Sequence, residues 1–331
     1  MSGLIEVVIG GLLQGGVYAA IALGFSLVYR VTGVVNLAQG AFCVLGAMGM
    51  YFFQVQFGWP TVLSIVLSVL ATAAFAALIG ATAFVPAVFR LPGGNALIFT
   101  AGLLTFLEGV ALVVWGNQPY ALPPFSGEAP LVFGDMRIPT QALWLAAGAV
   151  AIIAGLWLLL EKTTVGRAML ASAENSVAAR LMGIDVPRVM LFAFSLAAGI
   201  GALSGILVAP VAAIQFDSGR ALSTSGFIAV AIGGMGSFVG SIVGGVLLGV
   251  ANQLAAFYVS SLFASSLSLC LLIVVLIWRP QGLLSSGPGQ RADVRVNSLV
   301  HRALVRLPAR RAAISGFCLL ALWSQVVYAA D

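Results

Sequence analysis

Charge is what this chain has least of. Of 331 residues, 8% are Asp, Glu, Lys or Arg, while 61% are hydrophobic. Water-soluble domains carry charge on about a quarter of their positions, so a soluble domain is excluded. Histidine occurs once, as His301, without candidate ligand neighbours. The three cysteines, Cys43, Cys270 and Cys318, stand far apart inside apolar runs. Isolated thiols of this kind pack as small hydrophobes, and the absence of any CxxC pair or Cys/His cluster gives no reason to expect a metal. The one lysine, Lys162, follows Glu161 rather than glycine, which rules out a Walker A phosphate loop. No Ser/His/Asp or Cys/His constellation is present either. We therefore expect no enzyme activity and no cofactor in this chain. The net charge of +5 does not imply nucleic acid, because the arginines sit at the ends of apolar runs.

What is abundant is apolar length. Mean hydropathy is +1.11. Runs at about Leu4–Val28, Ala38–Phe53, Thr61–Phe84, Asn95–Trp115, Gln141–Leu160, Val189–Ala209, Ser225–Leu247, Gly249–Leu262 and Ala264–Trp278 approach or reach the roughly 20 residues that cross a bilayer. They do not alternate as barrel strands would. The expected fold is an all-α polytopic membrane protein. It should have about eight core transmembrane helices, some broken or re-entrant, and one extra C-terminal hydrophobic helix. The stretch from Ser225 to Trp278 reads either as three spans or as a re-entrant broken helix followed by one span. The start carries only Glu6 and no basic residue, so the first run reads as a retained anchor rather than a cleaved signal.

The basic residues orient the chain. If Lys162, Arg167, Arg180 and Arg188 face the cytoplasm, then Arg30, Arg90, Arg279 and the tail arginines fall on the same side. Only Arg137 and Arg220 fall outside, an asymmetry that follows the positive-inside rule. The N-terminus is then external. Two external loops follow, Gly116–Thr140, whose prolines disfavour a regular helix, and Val211–Thr224. Gly236, Gly240 and Gly244 form consecutive GxxxG steps, a signal of close helix packing, and Gly10, Gly11, Gly15 and Gly16 crowd the first span.

One long polar segment interrupts this pattern. Glu161, Lys162, Arg167, Glu174, Arg180, Asp185 and Arg188 all fall between positions 161 and 188. Met169, Ala173, Val177 and Leu181 recur at helical spacing, with Leu170 in the same arc. Ser172, Asn175, Ser176 and Ala179 lie opposite. The spacing predicts one amphipathic helix over Met169–Met182, stopped by Gly183, with Pro187 preventing its continuation. On these grounds it either lies at the lipid interface or meets a protein partner.

Ala173-Glu174, Gly183-Ile184 and Pro187 resemble the cytoplasmic coupling loop of ABC-importer permeases. GLLQGGVYAAIALGFSLVYRVTGVVNLAQGAF (Gly11–Phe42), GFIAVAIGGMGSFVGSIVGGVLLG (Gly226–Gly249) and IWRPQGLL (Ile277–Leu284) resemble branched-chain amino acid permeases of the LivH type. The likeness covers about residues 4–286. It implies a membrane subunit of a binding-protein-dependent importer for branched-chain or related amino acids. Urea, short amides and aromatic acids are alternative cargoes. A self-sufficient carrier or channel is disfavoured, because it would need intramembrane titratable groups and only Glu108 qualifies clearly.

The resemblance also implies partners: a second LivM-like permease or a second copy, two cytoplasmic ATPase subunits, and an extracytoplasmic binding protein. The bilayer is the other partner, the bacterial inner membrane, and no nucleic acid is expected. Arg167, Met169, Ala173, Glu174, Val177, Arg180, Leu181, Gly183 and Ile184 are the candidate ATPase-coupling residues. Gln14, Tyr18, Asn36 and Gln39 are polar residues near spans, placed by the resemblance near the translocation path; interhelical hydrogen bonding is the other reading. Glu108 is expected to form a structural ion pair with Arg137 or Arg220. Beyond the permease domain, 1–286, lie a basic linker, 287–311, and an apolar segment, 312–331, read as an added span or a signal-like element.

Overall fold

The computed structural model describes residues 2–91, 93–127, 131–133, 136–138, 140–258 and 261–284. The expected linker and C-terminal apolar segment, with His301 and Cys318, lie outside the described residues. The chain is a helical membrane protein. Helix α1 (Ser2–Thr32) leads through Gly33 to a short α2 (Gln39–Tyr51), which runs into a π-helical turn, Phe52–Gln56. Next come α3 (Thr61–Ile79), a π-helical turn at Gly80–Phe84, and α4 (Val85–Arg90), together one apolar rod. After α5 (Gly93–Trp115), a two-stranded antiparallel hairpin pairs β1 (Leu131–Phe133) with β2 (Met136–Ile138), Val132 facing Arg137. Helix α6 (Thr140–Lys162) is followed by α7 (Thr164–Glu174), α8 (Ser176–Leu181) and α9 (Val186–Val208). The last three are α10 (Ser218–Gly233), α11 (Phe238–Tyr258) and α12 (Ser261–Trp278).

Among the described residues six helices are long and apolar enough to cross a membrane: those containing Glu6–Thr32, Thr61–Arg90, Asn95–Trp115, Thr140–Lys162, Val186–Val208 and Phe238–Tyr258. Helices α2, α10 and α12 are shorter apolar elements packed among them. Burial separates a centre from a periphery. The most apolar window of α9 is 67% buried, that of the rod Thr61–Arg90 only 22%. On α3, Val62, Val66 and Leu70 are exposed, as expected of a face toward hydrocarbon.

The centre is held by backbone approach. A methyl added at Gly245 would overlap the Ala19 backbone, and one at Gly249 would overlap Gly15, so α11 lies directly on α1. On the other side of α11, Gly240 and Gly244 meet the backbone of Gly233 and Ala229 on α10. Helices α2 and α9 touch in the same way at Gly205 and the Cys43 carbonyl. Without a hydrophobic drive between helices in lipid, removing side chains at the contact gains dispersion energy over the whole crossing. Buried hydroxyls add cross-links. Ser223 Oγ donates to the Leu37 carbonyl at 2.7 Å and accepts from Gly40 N at 2.8 Å.

Two expectations need correcting here. The break between the late helices falls at 234–237, not near Leu248. Gly234 and Gly236 adopt φ of +111° and +80°, and Ser237 Oγ accepts from Gly240 N to start α11. Gly236 is therefore a turn residue outside the helix, lying near Tyr29, and takes no part in the packing of Gly240 and Gly244. The loop expected at Val211–Thr224 is helical from Ser218 onward.

Candidate functional site

The first candidate is the polar segment at the end of the bundle that carries Arg30, Arg90 and Arg279. It is two helices rather than one. Asn175 leaves the helical region (φ −156°, ψ 101°), and its Oδ1 accepts from Val177 N at 3.1 Å and Ala178 N at 3.0 Å. A short amide side chain offers the backbone a better partner than the helix does, so Asn175 ends α7 and caps α8. Helix α8 then closes in a Schellman motif. Ile184 N donates to the Ala179 carbonyl and Gly183 N to that of Arg180, both at 3.0 Å, with Gly183 at φ +84°. Asp185 caps α9 through Arg188 N, and Pro187 occupies its first turn.

This break redistributes the residues expected on one arc. Met169 is buried in the same apolar core as Leu156 and Leu160, and Gly166 lies against the end of α6. Ser172 and Ala179, expected opposite the apolar arc, are themselves buried. Val177, Leu181 and Met182 are exposed, Leu181 to 84%. Arg167 and Glu174 are exposed, and Ala173 and Ile184 half-buried. Arg180 lies 5.1 Å from the centre of the Phe89 ring on α4. A small apolar surface thus faces outward from an α8 fixed at both ends, tied by a cation–π contact to the rod α3–α4.

The second candidate lies toward the opposite end. A cavity of about 590 Å³ opens among α1, α6, α10 and α11, with Gln14, Tyr18, Gln141, Gln253, Leu145 and Leu222 in its wall. Gln14 Nε2 donates to Tyr18 Oη at 2.8 Å, the contact that i, i+4 spacing predicts. Asn36 and Gln39 are not in this cavity. Both are fully buried where α2 begins; Gln39 Nε2 donates to the Ala197 carbonyl at 2.8 Å, and Asn36 Oδ1 accepts from Ala38 N at 3.2 Å. Asn36 Nδ2 and Gln39 Oε1 have no partner among the described residues. The sequence reading missed Gln141 and Gln253, because one lies at a helix start and the other late in a glycine-rich run.

Glu108 is buried on α5 and paired with Arg220 of α10, Nη2 to Oε2 at 2.6 Å. Nε contacts both oxygens at 2.9 Å. Of the two partners anticipated, Arg220 is the one found. A second cavity, about 470 Å³ between α3, α6 and α9, is walled almost wholly by apolar side chains such as Ile152, Leu156 and Leu203. No group of three or more His, Cys, Asp or Glu that could hold a metal occurs among the described residues.

The family described as "Branched-chain amino acid transport system / permease component" matches residues 7–278. The chain is 29% identical over 288 residues to the high-affinity branched-chain amino acid transport system permease protein LivH of Escherichia coli (strain K12), covering 83% of this chain and 93% of that one. It is 30% identical over 295 residues to the LivH of Salmonella typhimurium, with the same coverage. It is 28% identical over 297 residues to the permease BraD of Pseudomonas aeruginosa, covering 85% and 95%.

Proposed function

The chain belongs to the permease-component family of branched-chain amino acid transport systems, and from that premise we propose that it is the membrane-spanning permease of a binding-protein-dependent ABC importer. Its cargo is branched-chain or related amino acids. The match over residues 7–278, nearly the whole described bundle, carries this reading. ATP is hydrolysed by two separate subunits on the cytoplasmic side, and a second permease, or a second copy, completes the core. The protein sits in the bacterial inner membrane with its N-terminus outside, so that the end carrying Arg30, Arg90 and Arg279 is cytoplasmic.

The mechanism assigns the exposed apolar residues of α8 to the ATPase contact. Val177, Leu181 and Met182 are costly to leave in water and favourable to cover. Closure of the ATPases on ATP displaces α8. The Arg180–Phe89 contact and the Met169 anchor pass that displacement to α4 and α6. The largely apolar cavity into which Gln14 and Tyr18 bring polar groups belongs to the external half of the path. Asn36 and Gln39, buried at the start of α2, are assigned to a closed part of the path, with two hydrogen-bonding atoms ready for partners when the helices shift.

Reconstitution tests this. The chain with its ATPases, partner permease and binding protein in liposomes should accumulate labelled leucine only when ATP is supplied to the ATPase side. Leucine uptake by the chain alone, without any ATPase, would end the importer reading.

A further inference from the structure

The rod α3–α4 changes character at its π-helical turn, Gly80–Phe84. There Val85 N donates to the Gly80 carbonyl, five residues back. Pro86 accounts for the widening. It has no N–H, and in a regular helix its ring would press on the Thr82 carbonyl. Thr82 Oγ1 also donates to the Leu78 carbonyl at 2.7 Å, a bond of the kind that bends helices. Wide turns of this sort are where helices kink.

The two sides of the turn are held differently. On α3, Ser64, Ser68, Thr72 and Ala76 form a buried line. On α4, Val85 alone of the six residues is buried. Two cavities flank α4 instead. One, about 510 Å³, has Phe89, Arg180 and Pro187 in its wall. The other, about 290 Å³, has Val85, Phe89 and Leu191. Helix α4, about 9 Å long, therefore has room to swing, and near its tip Phe89 lies against Arg180 of α8.

The turn itself is tightly packed. Phe84 is fully buried and stacks on Phe194 of α9, ring centres 4.3 Å apart. A methyl added at Gly80 would come 2.7 Å from Leu191 Cδ1 and 3.2 Å from Phe194 Cδ1. Phe194 in turn meets Phe42 of α2 edge to face at 5.6 Å. One helical turn from Phe194, the Ala197 carbonyl accepts from Gln39 Nε2, and Gln39 lies one turn before Phe42. A ring contact and a hydrogen bond thus hold the start of α2 to α9 side by side.

We propose that α4 is a lever hinged at Gly80–Phe84, and that the Phe84–Phe194–Phe42 stack carries its swing to the start of α2. This rests on the permease reading above, from which it takes the displacement of α8, and deepens it by naming the route inward. When α8 moves, Phe89 follows into the space beside it while α3 stays fixed. The turn opens or tightens, Phe84 shifts, and Phe194 cannot keep both of its ring contacts. A close-packed core answers such a shift by changing arrangement rather than by stretching. The Gln39–Ala197 bond is the contact next to the stack, so it is the one released. Phe84, Phe194 and Pro86 are positioning residues and touch no substrate.

Two measurements test this. Hydrogen exchange on the full solubilised chain reads the hinge without reference to transport. Pro86→Ala restores a regular helix and is expected to slow the amides of residues 87–91 about tenfold. Unchanged exchange overturns the hinge. Labelled leucine uptake and phosphate release by the complete importer in liposomes read its use. Pro86→Ala leaves α8 untouched and should not lower the melting temperature, yet leucine moved per ATP falls about fivefold, the low end of coupling between sites. Phe84→Leu, which removes the stack and keeps an apolar side chain, lowers the ratio by a similar factor. The double variant is no worse than either single one, because one route is cut twice. Effects that multiply to about 25-fold overturn the relay, since independent sites behave that way. So does lost stability with the ratio intact, the result of packing alone. If Phe84→Leu does not assemble, Pro86→Ala decides through exchange and ratio together. If the unmodified complex shows no ATP-dependent uptake, the permease reading fails, and the hinge stands or falls on exchange.

Discussion

At Gly249 the chain has removed a side chain so that α11 and α1 touch through their backbones. At Leu181 it holds a large apolar side chain out in the open. These two positions stand for two regions built on opposite rules. In the centre, formed by α1, α2, α9, α10 and α11, small residues let backbones meet, and polar groups such as Ser26 and Ser241 pair with each other across helices. At the basic end, apolar groups face outward and polar groups serve as local caps: Thr163 for α7, Asn175 for α8, Asp185 for α9. A region complete in itself buries its apolar surface. A region that leaves it exposed, on a helix capped at both ends, is shaped for a partner the chain does not contain.

The strongest test of that contrast is a bulky side chain at a central glycine. Gly249→Leu should abolish monodisperse protein in detergent, because even the first carbon overlaps the Gly15 backbone. Overpacking of this kind costs about 3 kcal/mol or more, and rigid backbone gives it no relief. The control is Gly155→Leu on α6, where an added Cβ meets nothing within 4 Å. It should express and melt like the parent by size exclusion and thermal denaturation. Equal behaviour of the two would erase the distinction between centre and periphery.

Next in size is Glu108→Gln. Removing one member of a buried pair leaves the other poorly satisfied, a loss on the order of 3 kcal/mol when both are buried and less here because Arg220 is exposed. The melting temperature of the solubilised chain should fall by several degrees, and leucine uptake by the reconstituted complex should fall about tenfold. A fall in stability with uptake intact would confine Glu108 to architecture.

The contrast also explains which features were legible beforehand. Membrane class, the bundle of apolar helices and the stop at Gly183 follow from composition and from single residues with strong local rules. The partner of Glu108 was narrowed to two arginines by charge scarcity alone. The break at Asn175 was not legible, because Met169, Ala173, Val177 and Leu181 keep helical spacing straight through it. Periodicity reports what a helix would do if it continued; it does not report a side chain that caps the next one. Once the chain breaks, Met169 turns inward and Val177 and Leu181 stay outside. Gly236 misled for a related reason. A glycine spaced four residues from Gly240 looks like helix packing, yet its positive φ shows it serving the turn. Gln141 and Gln253 could have been found by asking which amides lie near helix ends at the same level as Gln14.

At the basic end the expected effects are on partnership rather than folding. Leu181→Ser removes exposed apolar surface, so stability should not change. If the ATPase covers this side chain, the loss is about 1 to 2 kcal/mol, or roughly a five- to thirtyfold weaker association with the ATPase subunits. Co-purification at graded ATPase concentrations measures it. Unaltered association would mean that α8 is not where the ATPase binds.

The smallest expected effect is at Gly183, and it tests whether α8 must stop where it does. At φ +84° an alanine carries a left-handed penalty of about 1 to 2 kcal/mol. A Cβ there meets nothing within 4 Å, so strain is the only cost. Gly183→Ala should therefore leave the bundle folded and loosen the Schellman closure that fixes α8 against Asp185. The ratio of leucine moved to ATP hydrolysed should drop two- to fivefold, while ATPase association changes little. Asn tolerates the left-handed region better than Ala, so Gly183→Asn should fall between Ala and the parent. The order Gly, Asn, Ala in coupling ratio is the signature of a conformational stop. An Asn variant worse than Ala would point to a steric or polar contact with the ATPase at this position, and the strain account of Gly183 would be wrong.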